Sequence, residues 1–440
     1  MLAEIQYKAN MNILYLNHFR GFETTYIPLK QVNFFVGENS TGKSSILSIL
    51  RLLSSPQFWN DDDFNTADVE MGFFDELVSK NFKINHKEFQ IGFLANKEQK
   101  IDRIFNTLLL NYKNVKSVPT LNEIRFLVQN TSFKVTITNK QFKIFSKIVD
   151  YDVNDLENFQ KWIEDNNFTE IKYKILKRED DYTSRSPYFE LKYFLKRELE
   201  NSKEIGTLTQ PRFLPFSTWI APIRSKPKRI YENFKLVFSP EGDHTPLLIK
   251  SILANDFKKN ITKDKFLKAI EKFGKNSGLF DRIEVESLGN QKNSPFHLNI
   301  FVNNIPLKIT NVGYGVGQVL PLLTEILVTV KGRWFTIQQP EVHLHPRAQA
   351  ALGNFIFDAT ISDDKNFLIE THSDFLIDRF RYCIKKNNNN ISAQVLFFER
   401  YEHGNKVSAI EISKLGQYPE ELPDAFRSFF INEELNLLSL

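Results

Sequence analysis

The feature that most constrains the fold of this chain is a glycine-rich loop between an apolar run and a helical pattern. Val32–Val36 reads as a buried strand, and the residues that follow fit the pattern G-x-x-x-x-G-K-[ST]. Ser45 then opens a helical run through Leu53. In this order, the glycines let backbone N–H groups curl around phosphates, and the positive end of the helix faces the anion. The sequence therefore predicts a P-loop that binds a nucleoside triphosphate.

The residues predicted to contact the nucleotide lie mostly in the loop itself. Lys43 is expected to contact the β- and γ-phosphates and Ser44 the Mg²⁺ ion. A chance turn on a solvated loop is the alternative, and the flanking strand and helix favour the P-loop. The predicted nucleotide-binding residues are Gly37, Glu38, Asn39, Ser40, Thr41, Gly42, Lys43, Ser44, Ser45 and Arg20.

Length and composition restrict the classes of protein to which this chain can belong. A chain of 440 residues can bury a large core and is expected to form two or three structural units. The net charge of +4 permits nucleic-acid contact without demanding it. The single Cys383 excludes an internal disulfide framework and indicates a reducing compartment. No stretch approaches the roughly 18 apolar residues of a membrane span, so we expect a cytoplasmic protein.

A second group of motifs lies in the distal half of the chain. Asn311–Gln318 is a glycine-rich turn before a helical run. Arg333–Ile337 is a short strand that ends in the polar segment Gln338–Glu341. Asn366–Glu370 is a further strand, and it runs into Thr371-His372-Ser373. The order is therefore a glycine turn with a helix, a strand with a polar tip, and a strand that runs into Thr-His-Ser.

With the P-loop, these motifs resemble the ABC ATPase superfamily in its RecF, SMC and OLD branch. They resemble more closely the stand-alone bacterial ATPases, often labelled AAA family, that occur in antiphage defence operons. The resemblance implies an α/β fold: an ABC-type P-loop ATPase head, made of a mixed sheet with flanking helices, an α+β insertion and a short C-terminal hairpin and helix tail. The expected divisions are an N-terminal ATPase lobe at 1–79, a recognition insertion at 80–215, a C-terminal ATPase lobe at 216–385 and a tail at 386–440.

The resemblance also implies cofactors, partners and roles for residues. ATP and Mg²⁺ are the expected cofactors. Two heads are expected to pair as a homodimer or higher oligomer, so that ATP on one P-loop is covered by the glycine turn of the other copy. The turn residues assigned to that contact are Gly313, Gly315, Gly317 and Gln318, and His372 is assigned to reading the γ-phosphate. The catalytic set is Gln338, Gln339, Glu341 and His372, and the metal is assigned to Ser44 and Gln338.

Two positions depart from the pattern of the family. The family strand ends in two acids, one for Mg²⁺ and one that acts as general base, whereas this chain carries Gln338 and Gln339. An amide orients water but cannot accept its proton, so turnover is expected to be slow. Either Gln338 is an introduced substitution that traps ATP, or the chain is by nature a slow switch. Gly317 replaces a serine that bonds the partner's γ-phosphate in relatives, which weakens the expected contact between copies.

The favoured function is an ATP-gated dimeric sensor or scaffold for a separate effector, a nuclease or toxin-like protein, in antiphage defence. The alternative is a RecF-like repair ATPase that binds DNA. An OLD-type nuclease would need a Toprim domain, but Glu399 is followed by Arg400 where that domain has glycine, and no Asp-x-Asp follows. The chain is therefore not expected to cut nucleic acid by itself.

Three further segments carry chemistry that the sequence leaves less defined. Trp219–Arg229 is an apolar strand that runs into a basic loop, and a phosphate site and a solvated loop are equally compatible with it. Ile171–Lys196 mixes cations with aromatic residues, for which a solvated helix face is preferred over a nucleic-acid contact. His343 and His345 are assigned to the His-Leu-His-Pro turn of the family in preference to a metal site.

Overall fold

The chain folds into two compact units. The first consists of Met1–Lys30, Glu38–Pro215 and Phe398–Ala409, and the second of Gln31–Gly37, Phe216–Phe397 and Ile410–Leu440. The computed structural model describes residues 12–66, 69–81, 84–95, 106–138, 141–168, 176–177, 186, 213–214, 217–232, 235–257, 261–389, 391–401 and 404–429.

The first unit is built on an eight-stranded antiparallel sheet in the order β11-β10-β9-β8-β7-β6-β1-β2. A two-stranded sheet, β4-β5, accompanies it. The strands are β1 (Asn12–Asn17), β2 (Thr25–Leu29), β4 (Lys80–Asn81), β5 (Ile84–Asn85), β6 (Glu88–Leu94), β7 (Thr107–Val115), β8 (Val118–Val128), β9 (Thr131–Ile137), β10 (Gln141–Ile148) and β11 (Leu176–Lys177). The helices are α1 (Lys43–Ser54), α2 (Pro56–Asp61), α3 (Phe74–Leu77) and α4 (Leu156–Glu164).

Side chains on one face of this sheet form a continuous apolar cluster with α4. Ile13 and Tyr15, two residues apart on β1, point to the same face and pack in one cluster with Phe159 and Trp162. The indole Nε1 of Trp162 donates a hydrogen bond to Ser132 Oγ at 2.9 Å, so its buried polar atom is satisfied. Helix α4 therefore covers the sheet with an aromatic face that is fixed in orientation.

The second unit contains a six-stranded sheet in the order β12-β16-β17-β3-β18-β19 and a three-stranded sheet, β13-β14-β15. The strands are β3 (Val32–Gly37), β12 (Ser217–Ile220), β13 (Arg282–Ser287), β14 (Phe296–Val302), β15 (Ile305–Lys308), β16 (Trp334–Gln338), β17 (Asn366–Glu370), β18 (Ala393–Tyr401) and β19 (Gly404–Ile412), the last two of which are divided between the units. The helices are α5 (Thr245–Leu253), α6 (Lys263–Ser277), α7 (Tyr314–Val328), α8 (Pro346–Asp363) and α9 (Asp374–Asn387).

Four neighbouring strands of the larger sheet are parallel, and their registers bring their carboxyl ends to one edge. Ile220 of β12 lies opposite Ile337 of β16, and Gln338 at the end of β16 lies opposite Glu370 at the end of β17. β17 pairs in turn with β3, which is buried along its whole length, as is typical of a central parallel strand. Ligands of open parallel sheets bind at this carboxyl edge. We call it the carboxyl edge below.

The topology confirms the predicted fold class, since a P-loop follows a central strand of a sheet with flanking helices. The strands predicted at Val32–Val36, Arg333–Ile337 and Asn366–Glu370 are present within one residue of their expected bounds. The glycine-rich segment differs from the prediction. Helix α7 begins at Tyr314, so most of that segment is helical and does not form a turn.

Two segments discussed in the sequence analysis are not described by the structure. Most of the basic and aromatic stretch Ile171–Lys196, and the tail from residue 430 onward, lie outside the described residues. The predicted division into four segments stays a prediction. Among the described helices, none combines the length and the apolar character needed to cross a bilayer.

Close packing of α8 against α9 generates a stability prediction. A Cβ built on Gly353 in α8 would lie 2.4 Å from the carbonyl oxygen of Leu376, whereas one on Gly313 would meet no atom within 4 Å. We expect Gly353→Ala to lower the free energy of unfolding by about 1–3 kcal/mol because the helices must move apart. Urea unfolding of this variant and of the control Gly313→Ala measures the difference. Equal stabilities of the two variants would contradict the packing argument.

Candidate functional site

The P-loop leaves β3 at Gly37 and ends at the first turn of α1. Gly42 is the N-cap of α1 with φ +90°, and a Cβ at this position would lie 2.4 Å from Cζ of Phe22. Glycine is therefore required both by the backbone conformation and by the approach of the ring. No side chain caps the helix, and its positive N-terminal end follows the loop directly.

Two side chains of the loop converge on one carbonyl oxygen. Lys43 Nζ donates a hydrogen bond to the oxygen of Glu38 at 2.6 Å, and Thr41 Oγ1 donates to the same oxygen at 2.7 Å. Both side chains are buried, whereas Ser44 is exposed. These bonds hold the loop in a curled conformation with a cation at its centre, which suits the binding of phosphate oxygens.

Arg20 is positioned against the same helix. Its Nη1 donates to Ser45 Oγ at 2.7 Å and its Nη2 to the carbonyl oxygen of Met71 at 3.1 Å. Burial lowers the pKa of Arg20, and Glu76 opposes this effect. The structure thus places Arg20 beside the P-loop residue Ser45, and its contact with nucleotide stays a prediction.

The tip of the C-terminal hairpin supports the P-loop within the first unit. The backbone N–H of Asn405 donates to the carbonyl oxygen of Gly21 at 2.6 Å. Its side-chain Nδ2 would lie 3.2 Å from a Cβ on Gly42. A segment near the end of the sequence therefore packs against the glycine that begins α1.

In the second unit, Gln338 is held between two side chains at the carboxyl edge. Its Nε2 donates to Glu370 Oε2 at 2.9 Å, and its Oε1 accepts a long bond of 3.4 Å from Trp219 Nε1. Glu370 is 5% exposed, and its backbone oxygen accepts from the N–H of Gln339 at 2.8 Å. The neutral amide of Gln338 thus lies beside a buried carboxylate on the adjacent strand.

Glu341 and His372 are brought together, but through the backbone of the histidine. The N–H of His372 donates to Glu341 Oε1 at 2.7 Å, while the His372 side chain is exposed. Burial raises the pKa of Glu341, and hydrogen bonds from the His372 backbone and the Thr371 hydroxyl oppose the rise. The second oxygen of Glu341, Oε2, is buried and has no hydrogen-bond partner among the described residues.

The glycines assigned to the contact between copies have packing roles within the chain. A Cβ on Gly315 would lie 2.8 Å from the carbonyl oxygen of His343. A Cβ on Gly317 would lie 2.6 Å from Cγ of Pro227, which belongs to the basic loop after β12. Gln318 is 2% exposed and its Nε2 has no partner in the described part of the chain. Gly317 is therefore small because the basic loop packs on it, which accounts for the missing serine.

The side chains at the carboxyl edge fit the chemistry of Mg²⁺. This ion prefers oxygen ligands and is commonly bound by one or two carboxylates together with phosphate oxygens. The donors present are the Gln338 amide oxygen, the Glu370 carboxylate and the free Oε2 of Glu341. Glu370 thus supplies the negative charge that Gln338 lacks. Within the described ranges, no group of three or more His, Cys, Asp or Glu side chains is arranged to hold a metal ion.

Sequence reasoning missed Glu370 and Trp219 as neighbours of Gln338. Both were assigned to strands, but neither was assigned to the site. The available signal was alignment of strand ends, because β16 and β17 are parallel and finish at adjacent polar residues. Parallel pairing places such terminal side chains side by side.

Comparisons with known proteins identify one family and several similar structures. The family model described as "AAA ATPase domain" matches residues 11–377. The chain is similar to an SMC head bound to the C-winged-helix domain of ScpA, with a TM-score of 0.45, 11% identity and coverage of 92% of this chain and 98% of that one. It is also similar to the SMC head domain from Thermotoga maritima, with a TM-score of 0.38, 9% identity and coverage of 92% and 100%. No match was found among curated proteins.

The contact between Gly317 and Pro227 predicts energetic coupling. We expect Gly317→Ala to destabilise the protein by about 1–3 kcal/mol because the new methyl group overlaps the proline ring. Pro227→Ala removes the overlapping atoms, so the double variant should recover most of that loss. Unfolding of both single variants and the double variant measures the coupling. Strictly additive effects would contradict the contact as the reason for glycine at this position.

Proposed function

This chain belongs to the AAA ATPase domain family, and from that premise we propose that it is a slow ATPase that works as an ATP-gated switch. The observation that supports slow turnover is the amide of Gln338, which lies at the strand tip where the family carries an acid and is hydrogen-bonded to Glu370. An amide in this position holds its neighbours but accepts no proton. ATP binding therefore stays strong while ATP hydrolysis is slow.

Binding is the function of the P-loop residues. Lys43 exchanges its bond to the Glu38 carbonyl for bonds to phosphate oxygens. The positive N-terminal end of α1 faces the same phosphates, and the hydroxyl of Ser44 is the ligand that the family motif directs to the metal. When bound, Mg²⁺ neutralises phosphate charge. In the second unit, Gln338 and Glu370 provide oxygen atoms of the kind that Mg²⁺ prefers.

Hydrolysis relies on the carboxylate that remains. Glu341 Oε2 is buried, lacks a hydrogen-bond partner among the described residues and belongs to a carboxyl group whose pKa burial raises. A carboxylate with a raised pKa is a stronger proton acceptor, so Glu341 is the residue that would accept the proton of an attacking water. Gln338 and Gln339 orient the attacking water but do not accept its proton.

The persistent ATP-bound state is the basis of the switch. Two copies pair around ATP, with the exposed Gly313 at the start of α7 of one copy facing the nucleotide of the other, and the exposed His372 reads the γ-phosphate. The paired state is recognised by a separate effector, a nuclease or toxin-like protein. The resemblance to bacterial defence ATPases supports this role in antiphage defence.

The neutral strand tip predicts a gain of activity on restoring the acid. We expect Gln338→Glu to raise the rate of ATP hydrolysis by about 10²–10⁴-fold, because a carboxylate strengthens metal binding and proton transfer. The new carboxylate also faces Glu370, so the gain should require Mg²⁺. Phosphate release at saturating ATP, with and without Mg²⁺, measures the effect.

The control is Gln338→Met, which keeps the length of the side chain and remains neutral. It should not raise the rate. If Gln338→Glu leaves phosphate release unchanged while Glu341→Gln abolishes it, the missing acid is not the cause of slow turnover.

ATP-dependent pairing predicts a change in mass. With ATP and Mg²⁺, the 51.5 kDa chain should elute at about twice its mass in size-exclusion chromatography with light scattering, and without nucleotide it should elute as a monomer. Lys43→Ala should remain monomeric because it loses its phosphate contact. A dimer that forms equally without nucleotide would contradict gating by ATP.

A further inference from the structure

A cleft in the second unit is lined by the basic loop that follows β12. It lies between residues 225–228 of this loop, the first turns of α5, and α7, and it encloses about 410 Å³ of space that opens to the solvent. Clefts of this size accommodate small organic molecules, and most combine apolar walls with a few polar groups. All the residues that line this cleft belong to the second unit, and none of them is a residue of the P-loop.

The inner wall of the cleft is apolar. Ile249 of α5, Leu298 of β14 and Leu320 of α7 line it, and each of these side chains is at most 2% exposed. Covering apolar surface of this kind is favourable by roughly 25 cal/mol per Å². A small inorganic ion would leave the wall uncovered, so the cleft fits a ligand that has an apolar body.

The solvent side of the cleft carries positive charge. Lys226 and Lys228 line the cleft and are both exposed, so their ammonium groups approach a ligand from the solvent. Asp243 is the acidic residue of the lining, and it offsets one of the two positive charges. Lysine binds phosphate groups as a point charge. The balance of charge in the lining therefore favours an anionic ligand.

Two hydroxyl groups and the positive end of a helix complete the lining. Thr245 is the first residue of α5 and only 2% exposed, and its Oγ1 has no hydrogen-bond partner among the described residues. A buried hydroxyl without a partner is costly, which indicates that a ligand completes it. The hydroxyl of Tyr231 accepts a hydrogen bond from the N–H of Lys228 at 3.0 Å. Burial raises the pKa of Tyr231, so this hydroxyl keeps the proton that it can donate.

The walls of the cleft are held in place by contacts within the second unit. The N–H of Ser225 donates to the carbonyl oxygen of Glu241 at 2.8 Å, and the N–H of Tyr231 donates to that of Phe296 at 3.0 Å. Pro227 packs on α7, as described above. The lining groups are therefore positioned before a ligand arrives, which reduces the cost of ordering them on binding.

We propose that this cleft binds a phosphate monoester that has an apolar body. A phosphate monoester carries nearly two negative charges and three acceptor oxygens, which match two cations and two hydroxyl donors better than a carboxylate does. The phosphate lies between Lys226, Lys228 and the positive end of α5, and it accepts hydrogen bonds from Thr245 and Tyr231. The apolar body covers the inner wall. This site is additional to the proposed ATPase and does not depend on it.

The test compares three probes on the full chain without nucleotide, by ligand-observed NMR at about pH 8, where the phosphate is a dianion. The probes are phenyl phosphate, inorganic phosphate and benzoate. We expect phenyl phosphate to bind about tenfold more tightly than either of the others, because only this probe has both the charge and the apolar body. Equal affinity for phenyl phosphate and either other probe would overturn the proposal, as would no measurable binding of phenyl phosphate.

Substitution of the lysines locates the bound probe. The double variant Lys226→Met and Lys228→Met keeps both aliphatic stems and removes both charges, and it should weaken phenyl phosphate binding roughly tenfold. Lys331→Met is the matched control, since Lys331 is exposed and lies outside the cleft. Lys43→Ala should also leave binding unchanged. A loss in Lys43→Ala with none in the double variant would place the probe on the P-loop and overturn the proposal.

Thr245→Val distinguishes a ligand-binding hydroxyl from a structural one, because it keeps the shape of the side chain. Without a ligand, this variant should unfold at the same temperature as the wild type or at a higher one, since the hydroxyl that it loses has no partner. Its affinity for phenyl phosphate should fall about three- to tenfold. A lower unfolding temperature, or unchanged affinity, would overturn the assignment of Thr245 to the ligand.

Discussion

The parallel register of β12, β16, β17 and β3 is the constraint on which the site in the second unit depends. Each strand ends at the carboxyl edge, so residues that are far apart in sequence become neighbours there. Gln338 and Glu370 meet because their strands pair in register, and the basic loop emerges beside them because β12 pairs with β16. A shift of one residue in any pairing would turn these side chains to the opposite face of the sheet.

Sequence reasoning predicted the local parts of this arrangement well. The glycine loop, the strand before it, the helix after it and the α/β class are confirmed, because strand, loop and helix are encoded in one short segment whose spacing has a direct physical meaning. Glu370 and Trp219 were not assigned to the site from sequence. Their importance arises from burial and from neighbours on other strands, and neither property is visible in a single segment.

Gly317 is a second position whose role could not be read from the sequence alone. From sequence, its departure from serine indicated a weakened contact between copies. In the fold, Pro227 fills the space that a side chain at this position would need. A packing constraint within one chain therefore explains the glycine. The glycine-rich segment Asn311–Gln318 and the basic loop therefore pack against each other, and a substitution in either one acts on both.

Support of the P-loop by Asn405 has a consequence for biosynthesis. The backbone bond to Gly21 and the side chain near Gly42 come from a hairpin encoded more than 360 residues after the loop. During translation, the ribosome exposes the glycine loop long before this hairpin is made. The loop can acquire its final support only after this hairpin has also been synthesised.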